Sequence, residues 1–460
     1  MDKNNFFSNL WLKILNLFYF FKKKWNHFWD NHSVLKKGLF TFFLLFIFIV
    51  GTQIRIPYVK IGQGVENSTF FSTLNMVSGG GLKQFSLMAL GISPFISASL
   101  IMSLLQTRLC PPMLKLSQSG PQGRRKINVI TRVLTLILSF PQAILLAKSL
   151  QAGGIINFST NNIFIIYVFI PFILVGGSLI ALFLGEEITS KGIGNGTSLI
   201  IFVGIAMGLP ASFQMAFRFY VGNIDSPGFL NGLIKFITYL IAYLILLVVI
   251  IYFYLAERHI PIQQIGAGRS SQVKEMGKLP IKANPAGIMP IIFAFMALSF
   301  PNMIAGLLSD NNYGKYWIQN NLQFHQPIGF ALLVIVTFTF SIIIGLQQPR
   351  IDKIAEDFVK SSTFIPGVRP GEDTENYLIG VVFRLSIFSA FYLTFLASLQ
   401  FIMVMLGMPQ MIAFGGTSMM ILVSVSIETV SQVKARFKTQ KMSKSNKKAK
   451  SSKDYKGLLW

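Results

Sequence analysis

The chain has 460 residues, 52% hydrophobic and only 13% charged, with a formal net charge of +24 at pH 7. Its positive mean hydropathy argues against a single soluble core and for embedding in a bilayer. The single cysteine, Cys110, excludes an internal disulfide, and four scattered histidines (His27, His32, His259, His325) have no metal-ligand spacing. No catalytic constellation, metal or cofactor is implied, and the chain reads as a non-enzyme.

Taken in chain order, the N-terminal segment 1–37 holds an apolar run from Phe6 to Phe21 that contains Lys13 and is too short to cross. An interfacial amphipathic helix and a loosely ordered arm both fit it. No small-residue cleavage pattern closes this segment, so the first span is expected to remain in the chain. Runs of about 17 to 25 apolar residues suffice to cross a bilayer as helix. Ten occur, near residues 38–54, 85–106, 129–150, 163–184, 193–209, 232–255, 286–307, 327–346, 378–399 and 409–428. The expected fold is an all-α polytopic membrane protein, with ten transmembrane helices in two pseudo-symmetric five-helix halves around a central pore. The halves are 38–209 and 232–430, separated by an external connection, 210–231. Loops 256–282 and 347–377 and a basic tail, 431–460, are expected in the cytoplasm. Opposite starting orientations of two five-span sets are what inverted repeats produce, although no internal sequence repeat is visible.

The positive charge alternates between connections. The N-terminal segment (Lys22, Lys23, Lys24, Lys36, Lys37), the second connection (Arg108, Lys115, Arg124, Arg125, Lys126), the sixth (Arg258, Arg269, Lys274, Lys278, Lys282) and the tail are rich. The intervening connections carry only Arg55, Lys60, Lys83, Lys148, Arg218, Lys235 and Lys315. Positive-inside topology therefore puts both termini in the cytoplasm of a multi-pass protein of the cytoplasmic (inner) membrane.

The second span, Met88 to Gln106, crowds Gly91, Ser93, Pro94, Ser97, Ala98 and Ser99 into its first half. Irregular backbone at membrane depth is tolerated where it faces protein or a water-filled cavity, so this segment points to a pathway through the membrane. Arg132, Glu186, Glu187, Arg384 and Glu428 fall near cytoplasmic span ends, where snorkelling explains them, and no ionisable residue sits mid-span. No GxxxxGK[ST] phosphate loop occurs, so any energy source is supplied by a partner.

Five regions, in order, resemble the bacterial SecY family, the central subunit of the protein-conducting channel. They are Asn75–Leu100, Gly123–Ile127 (GRRKI), Leu184–Ile205, Leu279–Ala294, and the pair Phe364–Thr374 (FIPGVRPGEDT) and Phe414–Ser418 (FGGTS). The resemblance implies that residues 70–82, including Phe70, Phe71, Leu74, Asn75, Met76, Ser78, Gly79 and Gly80, form a plug; by chemistry alone an extracellular turn also fits. It implies a constriction formed by Ile92, Ile96, Thr197, Ile201, Ile292 and Ile421. Each of the pairs Ile92/Ile96 and Thr197/Ile201 shares a helix face, and ordinary helix packing is the competing reading. Aliphatic rings block hydrated ions by dewetting.

The resemblance further implies a lateral gate between the second and seventh spans, with Ser99, Ser103 and Asn284 as its polar residues; capping of its own helix is the other reading of Asn284. It implies cytoplasmic docking through Arg258, Arg269, Lys274 and Arg369, a guanidinium in a rigid turn being suited to RNA phosphate or carboxylate. A solvated turn charge is the alternative for Arg369. Implied partners are SecE, SecG, SecA, the ribosome with its RNA, YidC, unfolded precursor polypeptides and membrane lipids. The tail has the composition of a disordered segment. The function implied is passage of unfolded secretory proteins and sideways release of hydrophobic segments into lipid. A transporter of a small neutral solute, or an accessory translocase or insertase with few substrates, is the alternative.

Overall fold

The computed structural model describes residues 32–61, 78–106, 110–152, 154, 156–159, 162–222, 229–264, 277–305, 308, 312–409, 412–413 and 415–456. The segment Phe6–Phe21, the plug candidates Phe70, Phe71, Leu74, Asn75 and Met76, and the docking candidates Arg269 and Lys274 lie outside the described residues.

Helix α1 (His32–Gln53) leads to strand β1 (Val59–Ile61), then α2 (Ser93–Leu105), α3 (Pro111–Gln118) and α4 (Gly120–Ala152). Strand β2 (Ile156–Phe158) pairs antiparallel with β1, Val59 opposite Phe158. A π turn, Ile165–Phe169, enters α5 (Ile170–Lys191), followed by α6 (Gly196–Val221) and α7 (Phe229–Leu255). The second half of the chain holds β3 (Glu257–Gln264), β4 (Gly277–Lys282), α8 (Met289–Ala305), α9 (Tyr313–Asn321), α10 (Pro327–Gln347), α11 (Ile351–Lys360), β5 (Thr363–Phe364), α12 (Glu372–Met405) and α13 (Gly416–Lys456).

A helix lies in each of the ten expected spans. Among the described residues seven stretches are long and apolar enough to cross a membrane, and α2 and α8 are shorter apolar helices. At 1.5 Å per residue the 13 residues of α2 rise only about 20 Å, less than the bilayer's roughly 30 Å core. Its start is set by sequence: Gly91 has φ +52°, Ile92 is the N-cap and Pro94 occupies the first turn, where a missing N–H costs nothing.

Three outcomes differ from the sequence expectation. Helix α6 continues past Pro210 to Val221, so the external connection is shorter than 210–231. The tail continues α13 to Lys456 rather than forming coil: residues 417–456 contain neither Gly nor Pro, and Lys, Gln and Ala are good helix formers. Short strands also occur in an otherwise helical chain, where antiparallel segments meet outside the spans.

The buried side chains form three clusters. The largest joins α1, α2, α5, α6, α7, α8, α10, α12 and α13 through residues such as Phe48, Ile92, Ile200, Phe295, Phe401 and Ile421. A second joins the end of α1, the 82–90 segment, α4, α5 and Met303. The third lies under the β3–β4 hairpin, where Ile260, Ile281, Ile351, Ile365 and Leu378 pack together.

Candidate functional site

The segment between the undescribed residues and α2 is irregular yet deeply enclosed. Ser78 and Gly79 are buried, and Gly79 and Gly80 adopt φ +82° and +88°, a left-handed conformation that costs glycine little. Both press their backbone on α6. A Cβ at Gly204 would overlap the Gly79 carbonyl, and one at Gly79 would meet Phe48 of α1 and Ile200 of α6. Gly91 lies against the Ser78 carbonyl and Gly177 of α5 against that of Leu87. The backbone is tied to the end of α1 by Leu87 N–H donating to the Ile54 carbonyl at 2.8 Å, while Ser86 Oγ donates to the Gly81 carbonyl at 2.8 Å. Ser78, Gly79 and Gly80 thus sit in a seat made by missing side chains.

Five of the six expected constriction residues, Ile92, Ile96, Ile201, Ile292 and Ile421, are buried in the same hydrophobic cluster, supplied by α2 and its cap, α6, α8 and α13. Thr197 is half-buried and outside it. In the first turn of α6 its hydroxyl donates to Asn195 Oδ1 at 2.8 Å, and its methyl lies next to Gly185 of α5. A hydroxyl at a helix start gains more from a local hydrogen bond than from an apolar wall.

Helix α8 packs against both α2 and α4. Between them lies a cavity of about 20 Å³ lined by Leu90, Ser93, Gln142, Leu146, Met296, Ser299, Phe300 and Met303. Gln142 of α4 is 3% exposed; its Nε2 donates to Ser97 Oγ of α2 at 3.0 Å, and its Oε1 is buried without a protein partner. This amide was missed in the sequence, although a glutamine directly after Pro141 in an apolar span is a visible signal.

The expected gate residues find their hydrogen-bond partners close by. The hydrogen bonds of Asn284 run to its own loop and to α12: its Nδ2 donates to the Gly287 carbonyl at 3.0 Å and its Oδ1 accepts from Ser389 Oγ of α12 at 2.6 Å. Both ends of the amide are satisfied within the second half of the chain. Ser103 Oγ donates to the Leu100 carbonyl of its own helix at 2.8 Å, and Ser99 is half-buried on α2. Arg132 and Glu186, both expected near the membrane interface, form an ion pair at 2.7 Å.

The sixth and eighth connections meet. β3 pairs antiparallel with β4, Arg258 opposite Ile281, and with β5, Gln263 opposite Phe364. Arg258 and Arg369 are both exposed. The Arg369 turn has Gly367 at φ +86° and Gly371 at φ +105°; Val368 N–H donates to the Ile365 carbonyl at 3.0 Å, and Thr374 Oγ1 donates to the Arg369 carbonyl at 2.7 Å. The backbone is fixed and the guanidinium faces solution. Among the described residues no group of three or more His, Cys, Asp or Glu could hold a metal.

These features define a helical polytopic membrane protein with an irregular half-span enclosed by backbone contact with its neighbours. The family model for SecY matches residues 86–430. The protein translocase subunit SecY of Mycoplasma capricolum is 34% identical over 423 residues, 88% of each chain. Among solved structures, one described as a protein-conducting channel aligns with TM-score 0.61 at 20% identity, covering 86% of this chain and 91% of that one. Sec61 in a canine ribosome–channel complex from the endoplasmic reticulum aligns with TM-score 0.54 at 20% identity, covering 86% and 91%. The chain belongs to the SecY family. It is the pore-forming subunit of a protein translocase, a multi-pass protein of the cytoplasmic membrane and not an enzyme.

Proposed function

We propose that unfolded precursor polypeptides cross this subunit through the buried cluster of Ile92, Ile96, Ile201, Ile292 and Ile421, and that residues 70–82 close it as a plug. The observation that carries this reading is the seating of Gly79–Gly80 on Gly204 beside that cluster. At Gly79 and Gly80 the seal is made by backbone surface rather than by interlocking side chains, which suits a segment that a passing chain displaces. The aliphatic constriction then packs round the chain and excludes hydrated ions.

Hydrophobic segments leave sideways between α2/α4 and α8, where the small cavity marks imperfect packing and Ser97, Ser99, Ser103 and Gln142 supply polar groups. Arg258 and Arg369 present cations on one platform, which supports docking of the ribosome through its RNA or of the motor SecA. The family further suggests SecE, SecG and YidC as membrane partners, with both termini in the cytoplasm. Depletion of the subunit is expected to leave precursors of secreted proteins uncleaved and cytoplasmic; pulse-labelling measures this. Normal export on depletion, with loss of saturable solute uptake, would replace this reading by a transporter.

A further inference from the structure

Helix α6 carries Ile201 and the plug seat Gly204, yet its own N-cap, Asn195, makes no side-chain capping bond. Its start is held instead from outside. In the turn between α5 and α6, Gly192 N–H donates to the Ile188 carbonyl at 2.8 Å. Ile193 N–H donates to Thr41 Oγ1 of α1 at 2.9 Å, Gly194 N–H to Gln432 Oε1 of α13 at 3.0 Å, and Gly196 N–H to Thr189 Oγ1 at 2.8 Å. Arg436 of α13 donates to the Gly192 carbonyl at 2.8 Å. Glycines let the neighbours reach this backbone: a Cβ at Gly192 would meet Thr41 Oγ1, and one at Gly194 would meet Leu199 and Thr429 Oγ1. Gly194 itself has φ +91°.

Two of these bonds come from the far end of the sequence, more than 230 residues away. Both side chains of that clamp, the acceptor Gln432 and the donor Arg436, sit on α13, the helix that also supplies Ile421 to the buried cluster. We infer that Gln432 and Arg436 are positioning residues: from α13 they fix the start of α6 and thereby the height of Ile201 and Gly204, holding the closed seal. The charged guanidinium on a carbonyl is the stronger of the two bonds. The inference rests on the proposed seal at Gly204.

The test uses the full membrane complex, purified in mild detergent and reconstituted in vesicles of phosphatidylethanolamine and phosphatidylglycerol. Resting ion leak is read from the decay of a potassium diffusion potential, and hydrogen exchange from peptides covering 188–205. Arg436→Met keeps the apolar stem and loses the donor; Arg436→Lys keeps one donor. Loss of one charge-assisted bond is expected to raise leak about tenfold in Arg436→Met, with faster exchange confined to 192–201, while Arg436→Lys stays near the parent. Equal leak in the Met and Lys variants, or unchanged leak in Arg436→Met combined with Gln432→Leu, overturns the inference. If Arg436→Met fails to accumulate, Gln432→Leu, which removes the bond from Gly194 and a long, exposed one to Glu428, carries the same test. If Gly204→Val leaves leak unchanged, the seal reading fails instead.

Discussion

Helices α7 and α8 are both strongly apolar, and they have opposite surroundings. Of the 27 residues in α7 only Gly232, Tyr239 and Ile250 are buried, while 11 of the 17 in α8 are. Leu244, Ile245 and Val248 of α7 are about 60% exposed, a surface suited to lipid tails. Helix α8 instead touches α2, α4, α10 and α12 and contributes Ile292 to the buried cluster. Hydropathy scores these two alike because lipid and protein interior are equally apolar. The features that separate them are length and interruption: α8 follows the irregular stretch at Asn284–Ile288 and contains Pro301, whereas α7 is long and unbroken.

Substitutions that respect or violate this division should differ sharply in effect. The largest belongs to α6, where two glycines four residues apart serve as probe and control. Gly204→Val is expected to raise resting ion leak strongly and to cost about 1–3 kcal/mol by overpacking, since its Cβ would overlap Gly79. Gly208→Val, with nothing within 4 Å of its Cβ, should behave as the parent in the same leak assay. Equal behaviour of the two would dissolve the distinction between enclosed and lipid-facing backbone.

A smaller loss follows from Asn284→Leu. It strips Ser389 Oγ, 1% exposed, of its acceptor and leaves a buried hydroxyl unsatisfied at about 1–3 kcal/mol. Thermal aggregation of the detergent-solubilised complex reads this out, and Ser389→Ala in the same background should recover part of it, because both polar partners are then gone. The smallest effect is expected on α7: Leu244→Ala should stay within about 0.5 kcal/mol, and a larger shift would place an unseen partner on that face.

The helical content and the order of spans were legible because apolar runs of bilayer length have few other fates. The early start of irregularity in the second span was legible from Gly91, Ser93 and Pro94. The isoleucines proposed for the constriction were singled out only by resemblance, since isoleucine packs equally well in any core. Thr197 shows the limit of that carry-over: position in the motif matched, but its hydroxyl chose Asn195. The partners of Gln142 and the bond from Ser389 to Asn284 depend on which helices become neighbours, and no pattern along the chain encodes that. The Arg436 contact, 244 residues from its acceptor, belongs to the same class.

The pairing of β5 with β3 also has a mechanical side. Two loops that leave different helices share main-chain hydrogen bonds and one apolar floor, so displacing one is expected to carry the other. Arg369 is joined to α12 by its own turn and to α7 through the pairing of β5 with β3. With docking at Arg369 as proposed, a push on one small patch would act as torque on two helices of the second half at once.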